Sequence, residues 1–521
     1  MYKLKFGTAG IRGIMGDGPG EFNLATIELL SRALARFLLK EFADGKLEAE
    51  EKPELKEKDI KKTSGEEAES TDSACKCGGA KNAPLVIIAR DSRNNSFEFA
   101  LKTAKTLKAE GVKVLMFEEI MPVPVLSFAV RHLAADAGIV ITASHNPKEY
   151  NGFKVYGPHG GQVLEDAANG IQREIELLQV DFVPESGGEE PGKIPSEFII
   201  DEEVYEAYKE AMKEASDYDE PASSELSVIY TPLHGSGRRP VSEVLREDGF
   251  NLFVVPEQEE ADGDFPSSGQ PNPEFLSAYK VALEHAARRA AEGMESDIII
   301  ATDPDCDRVG AMCKAAQATP GAENASGAAS EYRLLSGNEL GSLVLAYICE
   351  KANMKGKVFV SSFVSTPLAD RIARANGMQV VKTQVGFKYI AEQMDLAGEN
   401  FAFSFEESNG MLAGLYARDK DAVLGARLIC KAAACLKAEG KTLADKLEEL
   451  NELYGPVLSR TISVALQPGE EKPETQIEDF DDGSRVVIRP SGTEPKIKYY
   501  FFASCEKRLE SLIEEYCSQR Q

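Results

Sequence analysis

Three stretches constrain this chain more than any others: "GIVITASHNP", "DIIIATDPDCDR" and "NFAFSFEESNG". In each, a short apolar run stops abruptly in a polar loop whose side chains carry chemistry. Such a run, bounded by polar residues, reads as a buried strand. Helical patterns lie between the runs. The segment 24–42 places Leu30, Ala33, Leu34, Phe37 and Leu38 on one face, and 201–215 and 337–352 also carry helical patterns. Buried strands alternating with helices predict α/β units. In open α/β sheets, ligands gather at loops beyond the carboxyl ends of strands. Three such loops in three similar units therefore predict tandem α/β domains facing a shared central cleft. A fourth unit begins near Tyr454, where "SRVVIRPSGTEPKIKYYFFA" predicts two strands around a Ser/Gly/Thr loop.

The length of 521 residues suits three to four domains at about 150 residues each. The expected divisions are 1–203, 204–332, 333–453 and 454–521, the last on a hinge near Gly455. Two segments break the pattern. Residues 44–82 are rich in Glu, Lys, Ser and Gly, and 314–330 reads "KAAQATPGAENASGAAS". Neither can bury enough apolar surface to order itself, so both are expected to be surface insertions. The second would join two strands of a hairpin.

No apolar run approaches the ~20 residues of a membrane span, and "MYKLKFGTAGIRG" lacks the apolar core of a secretory signal. The nine cysteines form no framework, and Cys75 and Cys77 find no second pair to complete a zinc site. Reduced thiols in a cytoplasmic protein are the expectation. The formal charge of −27 argues against a nucleic-acid-binding face. An anionic small molecule remains compatible with it, because local lysines and arginines can make a positive pocket in an acidic protein.

In "DPDCDR", Asp303, Asp305 and Asp307 alternate, and in extended backbone such residues share one side. Three carboxylates forced together repel unless a cation sits between them, and hard oxygens suit Mg²⁺ or Ca²⁺. An EF-hand is excluded, because Arg308 and Lys314 stand where Gly and Glu are needed. A phosphatase using Asp303 as nucleophile is a rival, as is a solvated acidic turn. In "RPSGTEPKIK", Arg489 offers a fork of donors, Ser491 and Thr493 offer hydroxyls, and Gly492 allows close backbone approach. That is the equipment of a phosphate cradle. Glu406, Glu407 and Ser408 could bind vicinal sugar hydroxyls or form an exposed turn. Lys388, Arg418 and Lys420 could face substrate or solvent. In "TASHNPKEYNGFK", Ser144 is a weak nucleophile unless activated. Lys154 or His145 could move its proton, and His145 could equally support the loop.

Together these loops resemble the α-D-phosphohexomutase family, most of all its phosphoglucomutase branch. The resemblance rests on "TASHNP" with "NGFK", "DPDCDR", "EESNG" and "RPSGTEPKIK" in the family's order, with "FGTAGIRG" as the glycine-rich opening. It implies three related α/β domains with mixed sheets and a smaller C-terminal α+β domain around a central cleft. Ser144 would carry a phosphoryl group, and Asp303, Asp305 and Asp307 would hold Mg²⁺ with a phosphate oxygen on Ser144. Glu406 and Ser408 would bind sugar hydroxyls, with Lys388, Arg418 and Lys420 as further substrate-binding candidates. Arg489, Ser491, Gly492 and Thr493 would grip the phosphate that is not transferred. Lys154 would transfer a proton, with Arg12 and Arg308 supporting phosphoryl charge and His145 beside the serine.

The implied reaction moves a phosphoryl group between the 1- and 6-positions of a hexose phosphate, with glucose 1,6-bisphosphate as intermediate and activator. Mannose and pentose phosphates are the rival substrates. A Mg²⁺-dependent phosphohydrolase and a silent phosphosugar-binding protein are the rival classes. Small-molecule sugar phosphates are the expected partners, without nucleic acid or membrane, in a monomer or homodimer. The chain departs from the family's pattern at Ala9, Phe405, Pro304 and Cys306, which bears on sugar preference.

Overall fold

The computed structural model describes residues 4, 6–7, 10–18, 20–46, 83–184, 192–218, 225–315, 331–466, 472–490 and 496–517. Most of the 44–82 and 314–330 segments, Cys75, Cys77, Ala9, and Ser491, Gly492 and Thr493 lie outside the described residues.

The apolar runs form the centres of three related mixed sheets. The first contains β1 (Ile11–Ile14), β2 (Leu85–Arg90), β3 (Lys113–Met116), β4 (Ala137–Ile141) and β5 (Tyr150–Tyr156). Its spatial order is β1-β5-β4-β2-β3. Strands β2, β3 and β4 are parallel, and β5 runs antiparallel to β4. The second contains β6 (Ser227–Thr231), β7 (Asn251–Val254), β8 (Ile298–Thr302), β9 (Val309–Lys314) and β10 (Tyr332–Leu335), in the order β10-β9-β8-β6-β7. Tyr332 lies opposite Lys314, so the strands flanking the 314–330 segment are hairpin partners. The third contains β11 (Val358–Ser362), β12 (Gln379–Thr383), β13 (Phe401–Phe405) and β14 (Met411–Ala413), in the order β12-β11-β13-β14.

Each of these sheets thus has three parallel strands followed by one antiparallel return, in the same spatial order. The three chemistry-bearing loops all occupy the turn between the last parallel strand and that return. Each loop holds one non-glycine residue at positive φ: Ser144 at 55°, Cys306 at 52° and Asn409 at 68°.

Burial on both faces explains why these strands read as continuous apolar runs. In the first sheet Ile87, Ala89 and Val140 face one core, while Val86, Ile88, Ile139 and Ile141 face another. The first of these cores continues through Tyr230 and Ile300 to Phe359 and Phe403, joining all three units. The helix Glu202–Ala215 buries Tyr205, Tyr208 and Met212 in that shared core.

The smaller fourth unit contains β15 (Leu458–Ala465), β16 (Gln476–Asp479), β17 (Arg485–Pro490) and β18 (Lys496–Ala503), ordered β15-β18-β17-β16 and fully antiparallel. It packs the helix Glu506–Cys517 over its own core. It meets the third unit through Val487, Tyr500 and Phe502 against Val364. The connection passes through Gly455, whose φ of 84° suits glycine. Arg371 donates to the carbonyls of Tyr454 and Gly455 at 3.1 Å each, tying this connection to the third unit.

Candidate active site

Ser144 owes its position to the loop leaving β4. Its backbone N–H donates to Thr142 Oγ1 at 2.8 Å, and that hydroxyl donates to Asp91 Oδ2 at 2.6 Å. The resulting turn holds Ser144 in the left-handed region, uncommon for a residue with a Cβ. Its buried hydroxyl donates across the domain junction to Asp303 Oδ2 at 2.8 Å and lies 3.2 Å from His145 Nδ1. Burial, together with the charges of Arg308 and Arg12, pushes the His145 pKa well below its usual value. The group beside the serine is therefore a neutral imidazole. Arg12 is exposed at the same edge, with Nη1 3.4 Å from Asn146 Oδ1.

The three aspartates converge, though not through the extended backbone that their alternation suggested. The Cys306 N–H donates to the Asp303 carbonyl at 2.9 Å, closing a turn with Cys306 left-handed. Asp303 Oδ1 then accepts the N–H groups of Asp307 and Arg308 at 3.1 and 3.0 Å. Backbone groups from three units fix the turn: Val123 N–H on the Asp305 carbonyl, Ser236 N–H on that of Pro304, and Ala422 N–H on that of Cys306.

The aspartates are buried, and one carboxylate oxygen from each lies within 4.8 Å of the others. Lys154 Nζ sits 2.6 Å from Asp305 Oδ2 and 3.5 Å from Asp307 Oδ2, and Lys420 Nζ is 2.9 Å from Asp307 Oδ2. Burial and repulsion from Asp305 and Asp307 raise the Asp303 pKa well above the carboxylate range. Burial also works to raise Asp307, but Lys420, Lys154 and Arg308 outweigh it and hold that carboxyl low.

Asp305 Oδ1 and Asp307 Oδ1 are buried without a hydrogen-bond partner. Orphaned carboxylate oxygens are costly, and converging hard oxygens are the ligand set that a divalent cation takes. The residues therefore fit a metal, held by Asp303, Asp305 and Asp307 beside the Ser144 hydroxyl.

The third unit supplies the opposite wall. Glu406 is buried after β13, where Gly386 N–H donates to its Oε1 at 3.2 Å. Desolvation pushes its pKa up to about 7, although Lys420 opposes the rise. The loop is stitched to the metal loop by Val309 N–H on the Asn409 carbonyl and Asn409 Nδ2 on the Val309 carbonyl, at 3.0 and 3.1 Å. Ser408 is half-buried on that loop. Phe405 turns away from it, packing in the core against Phe359 and Phe403 at centroid distances of 5.8 and 6.2 Å.

The basic candidates divide. Lys420 joins the aspartates, and Arg308 anchors on Glu274 with Nη1–Oε1 at 2.6 Å. Lys388 instead pairs with Glu165 of the first unit at 2.8 Å. Arg418 Nε pairs with Asp395 at 2.7 Å, while Nη1 donates to the carbonyls of Leu415 and Ala417. Both side chains are buried, not solvated. In the fourth unit Arg489, on β17, acts electrostatically on the Tyr500 hydroxyl, and Lys498 on Glu407, so this unit addresses the Glu406–Ser408 loop.

Models of the four domains of the phosphoglucomutase/phosphomannomutase family match residues 68–179, 206–316, 336–454 and 436–518. The phosphoglucomutase of Staphylococcus haemolyticus is 32% identical, covering 96% of this chain and 90% of its own length. The chain belongs to this family. The phosphoglucomutase of Staphylococcus aureus strain N315 is 33% identical over the same shares. Among solved structures, a family protein from Burkholderia thailandensis matches with a TM-score of 0.70 at 17% identity, covering 98% of this chain and 96% of its own. Parafusin from Paramecium, in an open form, matches at 0.67 and 16% identity, covering 99% and 94%. These two show the shared phosphohexomutase fold.

Within that family fold, several site residues carry no signal in the three loops that first stood out. Glu274, Asp419 and Lys498 reach the site from outside them. Asp91 and Arg93 could have been found, because "LVIIARDSR" repeats the apolar-run-to-polar-loop pattern.

Proposed function

We propose that the chain is a phosphoglucomutase, interconverting glucose 1-phosphate and glucose 6-phosphate through a phosphorylated Ser144 and a glucose 1,6-bisphosphate intermediate. The observation that carries this reading is the Ser144 hydroxyl, 2.8 Å from Asp303, beside a buried aspartate triad in which two oxygens lack a hydrogen-bond partner. A hydroxyl so placed becomes a phosphoester whose charge a cation can neutralise. Phosphoryl transfer depends on positioning and charge neutralisation more than on covalent assistance.

In the forward direction the Oγ–P bond of phosphorylated Ser144 breaks and a P–O bond forms on the free hydroxyl of the sugar monophosphate. That hydroxyl releases its proton and the departing Ser144 Oγ takes one up, a relay we assign to Lys154, while the neutral His145 supports Oγ. The bisphosphate then turns and returns its other phosphoryl group to Ser144. Mg²⁺ held by Asp303, Asp305 and Asp307 would supply charge neutralisation at the phosphoryl oxygens. Glu406 and Ser408 would bind the sugar hydroxyls. Arg489 with Ser491, Gly492 and Thr493 would hold the phosphate that stays in place, and Arg12 and Arg308 would balance phosphoryl charge.

A cytoplasmic location belongs to this reading, in which Cys306, Cys313, Cys349, Cys430, Cys505 and Cys517 carry free thiols. No helix among those residues is long and apolar enough to cross a membrane.

The test replaces Ser144 by Ala and supplies glucose 1-phosphate with catalytic glucose 1,6-bisphosphate. Turnover should fall by at least about a thousandfold, as for loss of a covalent nucleophile. Intact mass of the wild type should show one added phosphoryl group on the Ser144 peptide. Near-normal turnover of Ser144→Ala would sink the reading.

A further inference from the structure

Behind the Ser144 loop lies a buried arginine that the reaction as described does not use. Arg93 is 3% exposed. Its Nη2 donates to the carbonyls of Ser144 and Asn146 at 2.5 and 2.6 Å, and its Nη1 to those of Pro147 and Tyr150 at 2.9 and 3.0 Å. Its Nε pairs with Asp91 at 3.2 Å. One guanidinium therefore engages the whole serine loop, from the carrier residue to the start of β5. Asp91 closes the circuit through the Thr142 hydroxyl that receives the Ser144 N–H.

The second unit covers this arginine. The ring of Phe265 lies 5.2 Å from the guanidinium carbon and is 1% exposed. Phe265 has φ 47°, an outlier for so bulky a residue. Such a conformation persists only where its surroundings over-determine it. Those surroundings grip both flanks of the serine loop. Asp264 Oδ1 accepts Lys148 Nζ at 3.1 Å and Asn94 Nδ2 at 3.3 Å. At Gly263 a Cβ would come within 2.2 Å of the Asn94 nitrogen, so only glycine admits this approach.

We infer that Arg93 and Phe265 form a clamp that positions Ser144 against the metal-binding loop, an inference resting on Ser144 as the carrier. The need is electrostatic. Ser144 alternates between a neutral hydroxyl and an ester carrying nearly two negative charges, beside three carboxylates. A loop held only by its own turn would recoil from them. The clamp ties four loop carbonyls to a fixed cation and docks that cation on the unit that carries the aspartates. Arg93 is thus a positioning residue. Lysine keeps its charge but cannot supply the planar fork, and a displacement of about 1 Å costs on the order of a hundredfold in rate.

The test uses the full-length protein phosphorylated with glucose 1,6-bisphosphate, comparing wild type, Arg93→Lys and Phe265→Leu. Three quantities are measured: kcat, KM for glucose 1-phosphate, and the ratio of inorganic phosphate released to phosphoryl group transferred. Arg93→Lys should lower kcat about a hundredfold with KM within about threefold, and should raise the release ratio about tenfold. Phe265→Leu should shift both in the same direction by less, with the fraction folded followed by circular dichroism. Should Arg93→Lys not fold, Phe265→Leu decides. Wild-type kcat and release ratio in the folded variants would overturn the clamp and leave the carrier reading standing. So would an activity loss that merely tracks the folded fraction. A wild type that takes up no phosphoryl group would overturn the carrier reading, and the clamp with it.

Discussion

Glu406 ties the loop after β13 to pH. Its pKa of about 7 comes first from burial, so the native state disfavours the ionised form. Below about pH 4.5 the carboxyl is protonated in folded and unfolded chains alike and costs nothing. As pH rises to 7 the unfolded chain ionises freely while the native protein resists, so wild-type stability is lost across that window. Each unit of the shift is worth about 1.4 kcal/mol, giving a penalty of at most about 3.5 kcal/mol above pH 7. Glu406→Gln keeps an acceptor for Gly386 N–H and removes the penalty. Urea unfolding at pH 5 and pH 8 should find the variant gaining on wild type at the higher pH. An equal difference at both would show that Glu406 ionises freely. At this scale the residue types of the aspartate, serine and Glu406–Ser408 loops were legible, because each lies within a few positions in sequence. The partners of Lys388 and Arg418 were not, because Glu165 lies 223 positions from Lys388 and nothing local marks it.

Among the elements, the helix Ala422–Ala438 shows how a cap and a site share residues. Asp421 accepts the N–H groups of Val423 and Leu424 at 2.8 and 3.1 Å. It also accepts the hydroxyls of Tyr208 and Tyr416 at 2.8 and 2.5 Å. Its neighbour Lys420 reaches Asp307. Asp421→Ala would remove a cap worth about 1 kcal/mol and leave the Tyr208 and Tyr416 hydroxyls unpaired, at about 1–3 kcal/mol each where buried. We expect a loss of at least about 3 kcal/mol in urea unfolding, with turnover falling as Lys420 loses its register. Asp421→Asn, which retains an acceptor oxygen, should recover much of the stability. An alanine variant as stable as wild type would refute this account of the cap. The strands themselves were legible, because burial on both faces leaves uninterrupted apolar runs. Their common order was not, since strand order depends on long-range pairing. Nor was the turn that gathers the aspartates, because left-handed Cys306 has no local signature comparable to glycine.

Across the whole molecule, the site exists only where units meet. Ser144 comes from the first sheet, the aspartates from the second, Glu406 and Lys420 from the third, and Arg489 from the fourth. A divalent cation at the aspartates would relieve their repulsion and give Asp305 Oδ1 and Asp307 Oδ1 a partner. Mg²⁺ binding the native state alone at about one hundred times its Kd should stabilise it by about 2.7 kcal/mol. Chelation should abolish turnover, and Asp305→Asn should remove most of the thermal shift. An unchanged melting temperature with and without Mg²⁺ would contradict the assignment.

Local sequence specifies the units: which segments become buried strands, which loops end them, and which side chains those loops carry. Apolar periodicity and short polar motifs act within a dozen residues, and there the chain is explicit. Which of those side chains meet was settled by packing between distant elements. It drew Lys420 onto Asp307, committed Arg418 to Asp395, turned Phe405 into the core and set Arg93 behind Ser144. The reason is physical. A buried charge must find its counter-charge wherever packing places it, and packing joins residues whose separation in the chain carries no information.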